Sequence, residues 1–153
     1  MGLTAGQIPR VANILNSGIA KISGSLPISG ALGTDTNGVT CYTAGTSGGR
    51  VISMMGSTDD ASISPNVFVY INRSSTIIPI GLVNIPISSG NTNAARFPVD
   101  FLNGTNLPGL PIDNTGRQYV PLLANDILKV SLLANTTAGR SIYVSTYGVD
   151  YQP

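Results

Sequence analysis

The stretch "ILKVSLL", residues 127 to 133, alternates with a period of two: Leu128, Val130 and Leu132 can face one way while Lys129 and Ser131 face the other. Only an extended strand turns that spacing into an apolar face and a polar face. The pattern returns in "SIYVSTYG" at 141 to 148, with Ile142 and Val144 on one side and Tyr143, Ser145 and Tyr147 on the other. "NVFVYIN" at 66 to 72 is apolar on both parities, as in a strand buried on both faces. "TIIPIGLV" at 76 to 83 contains Pro79, which removes a ladder donor and pushes the segment to an edge or a bulge. "VTCYTA" at 39 to 44 and "RVISMMG" at 50 to 56 flank "GTSGG", a glycine-rich loop of hairpin length.

About eight such strands, separated by Gly, Pro and Asn turns and with no helices between them, define an all-β chain. The expected architecture is an antiparallel β-sandwich, jelly roll or barrel. Composition agrees, because the 18 Gly, 10 Pro and seven acidic residues, all of them Asp, disfavour helix. A chain of 153 residues is long enough for one self-sufficient core. The expected division is residues 1–37 as an N-terminal arm or edge segment and 38–153 as the sandwich domain. Within the first segment, Ile8, Val11, Ala12 and Leu15 fall at helical spacing, Pro9 suits a first helical position and Gly18 a C-terminal cap, so "QIPRVANILNSG" predicts at most a short helix. From Ile19 to Asn37 the chain reads as an edge strand or an extended arm.

The chemistry that is absent narrows the function. With no His there is no Ser-His-Asp or Cys-His arrangement and no His-rich metal site. Lone Cys41 can form no internal disulfide and reads as a small buried apolar residue. Adjacent Asp59 and Asp60 are the one carboxylate pair, and in "GSTDDASISP" such residues more often make Asx turns than acid–base machinery. No catalytic, cofactor-binding or metal-ligating residue is assigned. A net charge of +1, with basic residues spread singly, gives no footprint for nucleic acid. No apolar run is long enough to span a bilayer and the N-terminus lacks a signal-peptide pattern, so synthesis in the cytoplasm is expected.

Two features remain as candidate contact sites. In "LPGLPIDNTGRQYVPL", residues 107 to 122, Asp113 is expected to cap its own turn, leaving Arg117 free to pair with a neighbour. In the tail "YVSTYGVDYQP", Tyr143, Tyr147 and Tyr151 form either a packing face, within or between subunits, or a surface for stacking on sugars.

The series "GGRVISMMGSTDDASISPNVFVYINRSS", "IPIGLVNIPISSGNTNAARFPVDFL" and "LPGLPIDNTGRQYVPLLANDILKVSLLANTTAGRSIYVSTYGVDY" resembles virion structural proteins of tailed bacteriophages. It is most similar to small β-rich head decoration, or cement, proteins, over roughly Val39 to Tyr151. The resemblance implies a homo-oligomer, often a trimer, on the exterior of an expanded capsid, bridging neighbouring major capsid subunits. A tail-associated carbohydrate- or receptor-binding module would share the same sandwich and the same lack of catalytic residues.

Overall fold

The structure is a computed structural model that describes residues 12–23, 38–90 and 97–152. Nine strands run in chain order: β1 (Ala12–Ser23), β2 (Val39–Thr43), β3 (Gly49–Thr58), β4 (Asn66–Arg73), β5 (Thr76–Asn84), β6 (Val99–Asp100), β7 (Val120–Leu122), β8 (Ile127–Leu132) and β9 (Ser141–Tyr151). They form two antiparallel sheets, one of order β1-β9-β3-β6 with β7 also on β3, the other of order β2-β8-β4-β5. The result is the expected all-β sandwich, and no helix occurs among the described residues.

Period-two alternation places the core. Leu128, Val130 and Leu132 of β8 sit opposite Ile71, Val69 and Val67 of β4, all in the apolar layer between the sheets. Ile142 and Val144 of β9 and Ala20 and Ile22 of β1 face them from the other sheet. Pro79 lies on edge strand β5, and the ladder slips beside it, between Val69 and Tyr70 of β4. Edge position and bulge together accommodate the missing donor.

Two local expectations are corrected. The described part of the helix candidate, Ala12 to Gly18, is the first half of β1, which pairs along its whole length with β9. The Ile/Leu spacing matched a helix by coincidence. Asn16, Ser17 and Gly18 are poor helix formers, and the flank of β9 offers a full ladder of backbone partners. Residues 1–11 and 24–37, including the remainder of the proposed arm, lie outside the described residues. The "GTSGG" loop is not a hairpin: β2 belongs to the four-stranded sheet and β3 to the five-stranded one, so the loop crosses between layers. Gly48 takes φ +79° there, and its N–H donates to Gly45 O at 3.0 Å.

At one end the sheets close until backbone meets backbone. A Cβ built on Gly18 would stand 1.8 Å from the carbonyl oxygen of Cys41 in the other sheet, and one on Gly148 would stand 2.7 Å from the Tyr42 ring of that sheet and as near to Arg50 O on neighbouring β3. Polar groups bridge the narrow gap. The Thr146 hydroxyl donates to Cys41 O at 2.6 Å and also reaches Gly18 O at 3.2 Å. Tyr42 Oη donates to Asp150 Oδ1 at 2.9 Å, and Asn16 Nδ2 donates to Asp150 Oδ2 at 3.0 Å. Elsewhere in the core, Phe101, Leu102 and Leu107 from the long connection after β6 are buried, and Phe101 occupies the place a Cβ on Gly56 would take.

Gly18→Ala is therefore expected to cost about 3 kcal/mol, since neither backbone can retreat without breaking its ladder. Gly104, with nothing within 4 Å of a built Cβ, is the control, and Gly104→Ala should stay within about 0.5 kcal/mol of the parent in urea unfolding.

Candidate functional site

The side chains of β9 that point away from the core carry the tyrosines. Tyr143 is 37% and Tyr147 53% exposed, and Tyr151 is half-buried on the same face. On one flank β1 sets Lys21, Ile19, Ser17 and Leu15 opposite Tyr143, Ser145, Tyr147 and Val149. The Lys21 Nζ stands 5.6 Å from the centre of the Tyr143 ring. On the other flank β3 sets Ser57, Met55 and Ser53 opposite Tyr143, Ser145 and Tyr147. A bulge between Val51 and Ser53 leaves Ile52 unpaired and 40% exposed.

Leu15 at 76% and Ile19 at 73% are the most exposed aliphatic side chains on this face, and sequence reasoning missed both. Reading residues 8 to 18 as a helix hid Leu15, and although residues 19 to 37 read as an edge strand or arm, the alternation in "IAKIS" was not used to place Ile19 and Lys21 outside and Ala20 and Ile22 inside.

Arg117 lies across β3 from the tyrosine row. It lines a groove of about 580 Å³ with Ser53, Met55, Asp100, Asn103 and Gln118, and Ser53 is the ladder partner of Tyr147. The Asp113 turn is self-contained, as expected: Oδ1 accepts from Thr115 N at 2.8 Å, Thr115 Oγ1 at 2.7 Å and Arg117 N at 3.0 Å. Gly116 completes the turn at φ +83°. The hydrogen bond from the Thr115 hydroxyl and those from backbone N–H groups hold the Asp113 carboxyl below its ordinary pKa. The Arg117 side chain is exposed and has no hydrogen bond or ion pair among the described residues. The structure thus brings Arg117, Tyr143 and Tyr147 to one side of the molecule, while Tyr151 sits at the far end of β9, its N–H bonded to Gly48 O.

The Asp59–Asp60 pair serves the fold. Asp59 Oδ1 accepts from Ser141 N at 2.6 Å. Asp60, fully buried, accepts from Thr137 N at 2.7 Å, Thr137 Oγ1 at 3.0 Å, Ser62 N at 2.9 Å and Ile63 N at 3.0 Å. Burial alone raises the Asp60 pKa, but these donors outweigh it and hold the carboxyl down to about 2. A second buried carboxylate, Asp126, is gripped by Arg73 through Nε at 2.8 Å and Nη2 at 2.7 Å, and also accepts from Leu123 N at 2.8 Å. Bidentate pairing with Arg73 lowers the Asp126 pKa despite burial. Cys41 is buried, donates through Sγ to Leu128 O at 3.3 Å, and has its thiol pushed up to about 12 by desolvation. Among the described residues, no three acidic or Cys side chains come together to hold a metal ion.

No protein-family model matches this chain, and no curated protein matches it. Among solved structures it is similar to a chain of the cyanophage Pam1 capsid asymmetric unit, at 11% identity and a TM-score of 0.44, over 99% of this chain and 98% of that one. The functional reading therefore rests on the residues of the chain itself.

Two outcomes follow from the site. Asp60 has a folded-state pKa below the ordinary 3.8, so its contribution is complete above pH 3.8 and is lost as pH falls through 2. Acid titration of unfolding should show a loss on the order of 1–2 kcal/mol from Asp60 across that window, and Asp60→Asn should reduce the acid loss, leaving the part due to Asp113 and Asp126, while lowering stability at pH 7. Arg117→Ala should leave the urea midpoint within about 0.5 kcal/mol of the parent, because the turn is held by Asp113; a larger loss would make Arg117 an internal strut.

Proposed function

We propose that this chain is a structural virion protein, a homo-oligomer that decorates the exterior of a phage capsid and bridges neighbouring capsid subunits without catalysing a reaction. The observation that carries the reading is the outward face of the five-stranded sheet, where Leu15, Ile19, Tyr147, Tyr143 and Ile52 lie 37–76% exposed and Lys21 is the one charge on β1. A broad, charge-poor apolar face on a sheet is the composition of an interface core. The sequence resemblance of residues 39 to 151 to small head decoration proteins supplies the setting, and a trimer is the assembly it implies. Non-catalytic action is supported by the absence of His and by the engagement of Asp59 and Asp60 in backbone hydrogen bonds.

The mechanism is mass action. A protein that binds only the mature lattice stabilises each site by RT ln(1 + [L]/Kd), about 2.7 kcal/mol at a hundredfold excess over Kd. Arg117, free at the groove beside Tyr147, is suited to pair with an acidic group on a neighbour. That same groove, with Asp100, Asn103 and Gln118 next to an exposed Tyr147, favours glycan binding at a phage tail as the second reading.

Immunogold electron microscopy of the phage particles separates the two. Label over the heads is the expected result, and Tyr147→Asp should reduce head-bound protein about tenfold, equivalent to a loss of 1.4 kcal/mol per site. Label confined to tail tips, with saturable binding on a glycan array, would establish the second reading instead.

A further inference from the structure

The exposed edges of the two sheets are not alike. Edge strand β5 carries Pro79 and lies beside a bulge, β6 has two residues, β7 has three and contains Pro121, and β2 has five and is bulged between Thr40 and Tyr42. Short length, proline and bulges are the devices that stop an edge from pairing with another chain. Strand β1 has none of them from Ile14 onward. It is twelve residues long and proline-free, its one irregularity lies at the Ala12/Ile14 end, and β9 is its only strand neighbour among the described residues. Its single charge, Lys21, lies over the Tyr143 ring.

We infer that β1 is a strand-pairing edge whose occupant is β1 of a second copy of this chain, antiparallel about a two-fold axis at Ser17. An unpaired strand edge recognises another extended backbone, which fixes the chemistry of the partner. The side chains select a second copy. Leu15 and Ile19, 76% and 73% exposed, stand two residues either side of Ser17. With Ser17 on the axis, Leu15 of one copy lies opposite Ile19 of the other, twice over, and each such pair covers two aliphatic side chains otherwise in water. The same register sets Lys21 opposite position 13, so the two ammonium groups stand about 27 Å apart, far beyond the screening length. A one-residue slip would set Leu15 against a position on the opposite face, so the apolar match selects this register.

The contact also joins the two outward faces into one surface carrying both tyrosine rows. This inference rests on the self-association in the proposed function and is independent of the virion setting; a two-fold contact closes as a dimer, so it stands apart from the trimer that the resemblance implies.

The test is made on the full-length purified chain. Ser17→Cys should form a disulfide-linked dimer under mild oxidation at least tenfold faster than Ser23→Cys, a position the register sets opposite residue 11. The parent chain should not cross-link, since Cys41 is buried. Adding Leu15→Lys and Ile19→Lys should abolish the Ser17→Cys cross-link and lower the sedimenting mass. Both positions point into water, so a retained unfolding midpoint is expected alongside. An oligomer that forms without preferential cross-linking at position 17 would overturn β1 pairing and leave self-association standing. A protomer at every concentration would overturn both. A protomer that takes up an extended peptide of another protein along β1 would replace the second copy as occupant.

Discussion

The fold depends on a change of character halfway along β9. Its inward side chains begin as Ile142 and Val144, packed in the apolar core, and continue as Thr146, Gly148 and Asp150. At the first pair the sheets are held apart by filled volume. At the second set they are drawn together, because Thr146 bonds the Cys41 carbonyl, Gly148 leaves room for the Tyr42 ring, and Asp150 receives Tyr42 and Asn16. A buried carboxylate is costly unless its oxygens are bonded, and here two elements from different sheets meet that need at one point. Beyond that junction the loop carrying Phe101 and Leu107 completes the core, its side chains seated against Gly56 and Gly81.

Fixing the inward parity of β9 fixes the outward one. A strand cannot present Ile142, Val144 and Thr146 to the core without presenting Tyr143, Ser145 and Tyr147 to solvent, and a slip of one residue would exchange them. Both neighbours of β9 shift register near its closed end, β1 between Ala12 and Ile14 and β3 between Val51 and Ser53. The strands thus adjust to the tight junction there while keeping Leu15, Ile19 and Met55 in line with the outward row. The candidate interface is in this sense a by-product of how the core closes.

The same distinction explains what the sequence made legible. Strands 66–72, 127–133 and 141–148 were readable because alternation is local, and the Asp113 turn because all its donors lie within four residues. The Asx turn of Asp60 with Ser62 and Ile63 was legible for the same reason, but its bonds to Thr137 and those of Asp126 to Arg73 were not, since these partners lie 77 and 53 residues away and no pattern links them. Gly18 was misread for a related reason. A glycine at the end of an apolar run suits a helix cap, but here it is required by Cys41, a residue of the opposite sheet. The glycines of residues 45 to 49 were legible as a turn; which sheet the chain entered next depended on the β9 ladder.

The outward face also bears on how a domain with so few charges can act at all. Its strong electrostatic interactions are spent internally, with Asp60, Asp126 and Asp150 all buried and bonded. What remains for a partner is mostly apolar area, with Lys21 and Arg117 as exposed charges beside it. Covering an exposed Leu or Ile fully contributes about 1.5–3 kcal/mol, so no single side chain on this face makes a tight complex alone. A weak contact of that kind gains force by repetition, when many copies meet a repeating surface and each one bound holds the next in place. On this face the apolar groups are spread along a sheet rather than gathered in one cleft.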